Sequence, residues 1–246
     1  MVASMPRRKT SAQIRRAAEL FSALRKTYPA ACCALHWKQP HELLIATMLS
    51  AQATDVSVNK ATPALFKAFP TVAAFAESSV EDIAPFLRTL NFWRTKARAV
   101  YESLRTLHTR FHGTVPNCME DLLSLRGVAR KTANVVLGNA FNIQEGVVVD
   151  THVARLSKRM GLTRHTDPIH VEQDLMGLFP QEHWCELSHL LIEHGRRVCK
   201  ARGNTCSQDP VCRKFCRESK TVTRSKASPS KTRRPPVRQR PCRRNG

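Results

Sequence analysis

The stretch Leu125-Arg126-Gly127-Val128-Ala129-Arg130-Lys131-Thr132-Ala133 combines an anion site with a candidate nucleophile. An amphipathic segment running from Cys118 closes at Leu125, Gly127 permits a tight reversal, and helical periodicity resumes at about Ala129. Two helices joined by so short a turn leave backbone N–H groups at the start of the second helix. Together with the positive end of the helix dipole, these groups favour a phosphate. The same dipole disfavours the charged form of a lysine in that first turn, so Lys131 is a candidate amine nucleophile. An ordinary helical hairpin with a surface lysine is the competing reading of this stretch taken alone. Further on, Val147-Val148-Val149-Asp150-Thr151-His152-Val153 ends an apolar run in an aspartate. Asp150 suits the N-cap of the next helix, and a carboxylate held near Lys131 would also handle protons and stabilise positive charge.

Leu125 to Asn134 and Val149 to Val153 resemble the helix-hairpin-helix and catalytic aspartate of the endonuclease III family of bifunctional DNA glycosylase/AP lyases. Leu49-Ser50-Ala51-Gln52-Ala53-Thr54-Asp55 and the cysteines from Cys199 onward match the same family in the same order, so the likeness spans residues 19 to 216. The resemblance implies Lys131 as nucleophile and Asp150 as its carboxylate. It also implies DNA contacts from Gly127, Ala129, Arg130, Thr132 and His152. Gln52 matches the glutamine that enters the duplex beside the damaged nucleotide, and Phe92 the apolar wedge, a role that suits a ring filling unstacked space. Short of that role, Gln52 and Asp55 read as helix caps. The family usually has glycine where Asn91 stands, and asparagine tolerates a left-handed backbone. Arg126 replaces the usual proline and Ala129 the usual second glycine, departures that would loosen or crowd the phosphate hairpin.

Four cysteines crowd into one window, Cys199, Cys206, Cys212 and Cys216, which reads as metal or cluster ligation. The gap between the first two is the one the family uses in its four-iron, four-sulfur cluster, but Asp209 stands where the third ligand is expected. Four thiolates in one short loop still reach a cluster. Asp209 as an oxygen ligand, zinc in a tetrahedral site, and no metal are the alternatives. The implied role is structural, pinning a loop that carries Lys200 and Arg202 against phosphates, with no redox step. Cys32, Cys33, Cys118, Cys185 and Cys242 read as small core residues or incidental thiols, since nine cysteines without a secretory signal do not suggest a disulfide scaffold.

Positioning these residues takes helices. Forty Lys and Arg against 19 Asp and Glu give a net charge of +21, which attracts a polyanion. No apolar run has the length of a membrane span. Apolar spacing predicts helices from Ser11 to Pro29, over Pro40 to Leu49, and in shorter pieces at Pro63 to Phe69, Thr71 to Ala76 and Val80 to Leu87. Leu90 to Trp93 reads as a loop before a helix over Thr95 to Phe111. Asp150, Asp167-Pro168 and Gln181 open three more. His183, His189 and His194 on the last of these read as interface or phosphate-contact residues rather than metal ligands. Val147 to Val149 has no strand partner, so the fold class is all-α.

The family architecture implies two helical lobes with DNA at a cleft. Residues 33–143 would form a six-helix lobe carrying the hairpin at about 118–141. Residues 11–32 with 144–219 would form the other lobe, with the cysteine loop. Residues 1–10 read as a basic lead and 220–246 as a basic, core-less tail that tethers DNA or directs nuclear import. The implied partner is double-stranded DNA with damaged pyrimidines or abasic sites, bound by a monomer. Its place would be the nucleus of a eukaryote, with the mitochondrion as alternative, or the nucleoid and cytoplasm of a bacterium. A monofunctional adenine-type glycosylase of the same superfamily would use activated water and lack Lys131. A non-catalytic hairpin module would be expected to lose Lys131 or Asp150, and both are present.

Overall fold

The computed structural model describes residues 9–202 and 206–216. The basic tail and all but the last two residues of the basic lead lie outside that range. Lys9 and Thr10, expected in the lead, are fixed instead. Lys9 pairs with Asp174, and Thr10 forms a reciprocal capping box with Gln13 at the first helix. In chain order the helices are α1 (Ser11–Thr27), α2 (Pro40–Leu49), α3 (Asp55–Ala68), α4 (Val72–Ala76), α5 (Val80–Leu87) and α6 (Trp93–Arg110). They continue with α7 (Met119–Leu123), α8 (Arg130–Ala140), α9 (Thr151–Arg159), α10 (Pro168–Met176), α11 (Trp184–Arg197) and α12 (Pro210–Phe215), with a 3₁₀ turn at Gln181–His183. Among the described residues there is no strand, and the protein is all-α. None of these helices is long and apolar enough to cross a membrane.

The chain divides into two units, one built from residues 33–145 and the other from the segments before and after it. In the 33–145 unit, α2 is apolar on all sides and buried along nearly its whole length, the pattern of a central helix. It packs against α3, α6 and α8, while α4 and α5 cover another side of α6. α3 starts earlier than the spacing from Pro63 suggests. Thr54 caps it through the Ser57 N–H, so Asp55 is the first helical residue and not the cap. Pro63 sits inside the helix and removes one backbone bond. The face made by Val58, Ala61, Thr62 and Leu65 is buried and holds the helix together across it. α6 likewise begins at Trp93, which packs on the core with Arg94 over its ring, 4.2 Å from the centroid.

In the other unit, α1 packs on α11 and α12, and α9 lies against α10 and α11. Leu20 and Leu24 of α1 share a core with Val153, Leu156, Leu187 and Leu191. The Val147–Val149 run passes through as buried irregular chain, and the Val148 N–H donates to Ser188 Oγ at 3.1 Å. Asp150 and Asp167 cap α9 and α10, the Asp150 carboxylate accepting the Val153 N–H at 2.8 Å. Cys32 is disulfide-bonded, which corrects its reading as an incidental thiol.

Candidate functional site

The hairpin lies in the 33–145 unit between α7 and α8. Gly127 has φ +75°, the left-handed region that favours glycine, and a Cβ there would meet Ala99 Cβ at 3.2 Å and Met48 Cε at 3.4 Å. Its neighbour Arg126 is anchored twice. Ser103 Oγ donates to its carbonyl at 2.6 Å, and its guanidinium pairs with Glu102 at 2.7 Å. Ala129 is extended at φ −95°, ψ 167°, a conformation any residue adopts, so the missing second glycine leaves no strain. Ala129 is also the N-cap of α8 and has no side-chain oxygen, so the helix start is open to an external acceptor. Arg130, Lys131 and Thr132 form the first turn. Lys131 is exposed, and Arg130 donates to the Glu145 carbonyl at 3.0 Å.

Gln52 and Phe92 sit on two exposed loops of the same unit, both left-handed, with φ 53° and 57°. The helix-cap alternative for Gln52 does not hold, since Ser50 is the C-cap of α2. Asn91 does not take the left-handed conformation that its place in the family suggested. Phe92 takes it, and the Asn91 amide donates to the Gln52 carbonyl at 3.2 Å, tying the two loops together. Phe92 is 63% exposed, which is costly for so large an apolar ring and fits a group that finds its partner outside the chain. Gln52, Phe92 and Gly127 line one cavity of about 210 Å³ with Met48, Lys96 and Ala99. Three expected contact residues on distant segments therefore share one chamber. Lys96, on its wall, carries no signal in the sequence.

Asp150 and His152 belong to the other unit. Asp150 is half-buried at the start of α9, where it caps the helix. Burial lowers the His152 pKa against the opposing pull of Asp150, with Arg155 and Arg196 adding to the decrease. His152 Nδ1 lies 3.2 Å from Arg155 Nη2. α11 approaches α9 closely at Gly195, where a Cβ would come within 2.8 Å of His152 Nδ1.

The four clustered cysteines are all buried. The sulfurs of Cys199, Cys206 and Cys212 lie within 4.8 Å of one another, and Cys216 ends α12 with its N–H on the Cys212 carbonyl at 2.8 Å. Hydrogen bonding from Cys212 and an Arg159 guanidinium 3.3 Å away bring the Cys199 thiol down to about 5, against the effect of burial. Burial pushes Cys206 up to about 11, and bonding to Cys199 with burial raises Cys212. Three converging thiols that favour a single anion are what a cation would complete, so this donor set fits a metal centre.

The Asp209 carboxylate caps α12 through the Cys212 N–H at 2.8 Å and stands outside the three converging thiols, in a second group with His194 and Cys212 whose ligand atoms lie within 4.8 Å of one another. His194 corrects an expectation as well. It is fully buried between the Tyr28 hydroxyl, 2.8 Å from Nδ1, and Cys212 Sγ, 3.2 Å from Nε2, and so contacts neither phosphate nor a partner surface. His183 stacks on Phe21 at 4.5 Å, and His189 is 3.5 Å from Cys185 Sγ.

The chain is similar to known proteins over most of its length. A model of the HhH-GPD superfamily of base excision DNA repair proteins matches residues 45–181. The chain is 49% identical over 201 residues to endonuclease III of Synechocystis sp., covering 82% of this chain and 92% of that one. A solved non-covalent endonuclease III–DNA complex superposes with a TM-score of 0.80 at 38% identity, covering 88% of this chain and all of that one. A trapped endonuclease III–DNA covalent intermediate gives the same TM-score and identity, with coverage of 87% and 99%. The chain belongs to the HhH-GPD superfamily of base excision DNA repair proteins and, within it, to the endonuclease III family.

Proposed function

We propose that this chain is a DNA N-glycosylase with AP lyase activity that removes oxidised pyrimidines from duplex DNA. The observation that carries this reading is its 38% identity, over nearly the full chain, to an enzyme trapped as a covalent DNA intermediate, together with a lysine in the first turn of the hairpin's second helix. The net charge of +21 supports binding to duplex DNA, here by a single copy of the chain.

The sugar carbon of a stacked nucleotide is out of reach, so the target must first leave the duplex. The hairpin amides around Gly127 and Ala129 hold a phosphate and set the register, and Gln52 and Phe92 fill the vacated space. Lys131, as the neutral amine, attacks C1′. The N-glycosidic bond breaks and the base departs with its bonding electrons, taking up a proton. Asp150 stabilises the positive charge that develops and accepts the proton lost from the attacking nitrogen. Opening of the C1′–O4′ bond leaves an iminium whose electron demand acidifies C2′. Loss of a C2′ proton then expels the 3′ phosphate by breaking the C3′–O3′ bond. Lys131 thus serves both steps, because water attack would leave a hemiacetal and its aldehyde, which acidify C2′ far less than an iminium does.

Cys199, Cys206, Cys212 and Cys216 would hold a four-iron, four-sulfur cluster. When bound, it would supply a cross-link between the segment carrying Lys200 and Arg202 and α12, whose Val211 and Phe215 are already in the core. The test is borohydride reduction on DNA containing an oxidised pyrimidine. The full chain should form a covalent adduct, Lys131→Ala should form none, and efficient trapping by that variant would reject Lys131 as the nucleophile.

A further inference from the structure

The cavity behind Gln52 and Phe92 holds a group that the mechanism above does not use. Lys96, in the first turns of α6, is only 8% exposed, and its Nζ has no hydrogen-bond partner among the described residues. An ammonium removed from water without an acceptor is costly, and burial lowers its pKa accordingly. A buried donor left unpaired calls for an acceptor that the described residues do not supply. The other cavity walls are mostly apolar, from Met48, Ala51 and Ala99, with Thr95 and Gln52 as the polar exceptions. A phosphodiester would bring a full charge and two non-bridging oxygens into a chamber whose walls are mostly apolar. A flat ring with a single acceptor edge suits it better, and a nucleobase is such a group.

We propose that Lys96 reads the base opposite the extruded nucleotide, donating a hydrogen bond to an acceptor on its edge as that base comes to the cavity mouth between Gln52 and Phe92. This rests on the reading that Gln52 and Phe92 enter the duplex. Lys96 is then a specificity residue, separate from the chemistry of Lys131. The Asn91–Gln52 tie gives the mouth a defined width, since it holds the two loops together.

Binding of the full chain is measured by fluorescence anisotropy on duplexes with an uncleavable tetrahydrofuran at the target position. The position opposite carries each of the four bases in turn or a second tetrahydrofuran with no base. The natural chain should bind at least one base-opposed duplex about tenfold more tightly than the base-less one. Lys96→Met, close in shape but without a donor, should reduce that ratio to below about twofold and leave affinity for the base-less duplex unchanged. An equal loss on every duplex, with the salt slope falling by about one, would assign Lys96 to a phosphate and overturn the proposal. An unchanged ratio would overturn it too. Should Lys96→Met fail to fold, the natural chain decides alone, because equal affinity for all five duplexes leaves no base to be read. Borohydride trapping by the natural chain separates the two readings. If trapping fails, the glycosylase/lyase assignment fails; if it succeeds with the ratio unchanged, only the role of Lys96 does.

Discussion

Gly127→Ala tests whether the hairpin turn requires glycine for the two reasons visible in its geometry. The backbone is left-handed at φ +75°, which costs a residue with a Cβ about 1–2 kcal/mol. The new methyl would also sit 3.2 Å from Ala99 Cβ and 3.4 Å from Met48 Cε, so α6 and α2 must yield by a few tenths of an ångström. Ala99 belongs to a helix packed between others and cannot move far, which adds a strain of about 1 kcal/mol. A total of about 2–3 kcal/mol lowers the melting temperature by about 4–12 °C for a chain of this length. DNA affinity should fall about tenfold at low salt, because displaced amides no longer meet the phosphate together. Ala129→Gly is the internal control. Its backbone is extended, so a glycine there relieves no strain, and stability should change by less than about 1 kcal/mol. Melting and fluorescence anisotropy on a tetrahydrofuran duplex read both variants. Equal behaviour of the two would refute the argument that Gly127 alone carries the left-handed turn.

Asp150→Asn keeps a capping oxygen for the Val153 N–H, so the fold should melt within about 1 kcal/mol of the natural chain while single-turnover base release slows about 100-fold or more. An unchanged rate would remove Asp150 from the mechanism. His189 has its pKa lowered to about 4 by burial, with Arg196 adding to the decrease. The unfolded chain takes up this proton near pH 6.5 and the folded one only near pH 4. Stability therefore falls by about 1–3 kcal/mol as pH drops through that window, and His189→Gln should flatten that part of the melting curve against pH. With the proposed cluster, the natural chain should purify with broad visible absorption and bound iron, Cys212→Ser should lose both, and Asp209→Asn should retain both. Iron loss in the Asp209 variant would mean that this carboxylate is a ligand.

Much of the local architecture was legible because it arises from groups a few residues apart. Asp150 and Asp167 cap their helices through bonds to N–H groups three positions on, and type and spacing suffice to see them. The single-residue error at Thr54 and Asp55 has the same origin, since two good caps stand side by side and only the backbone chooses between them. The start of α3 was hidden because Pro63 reads as an opening residue when the buried face that carries the helix through it is not known.

Residue order alone determined an all-helical chain, a lysine in the first turn of one helix, a carboxylate capping another, and four cysteines gathered in one window. Tertiary structure decided what depended on partners far along the chain. It tied Asn91 to Gln52, thirty-nine positions away, fixed Arg126 through Ser103, and buried His194 between Tyr28 and Cys212. It also drew the Lys96 ammonium out of water beside the residues expected to part the duplex. The physical reason is that periodicity and capping are short-range, whereas desolvation and side-chain pairing across helices depend on which faces meet, and one chain's spacing does not encode that.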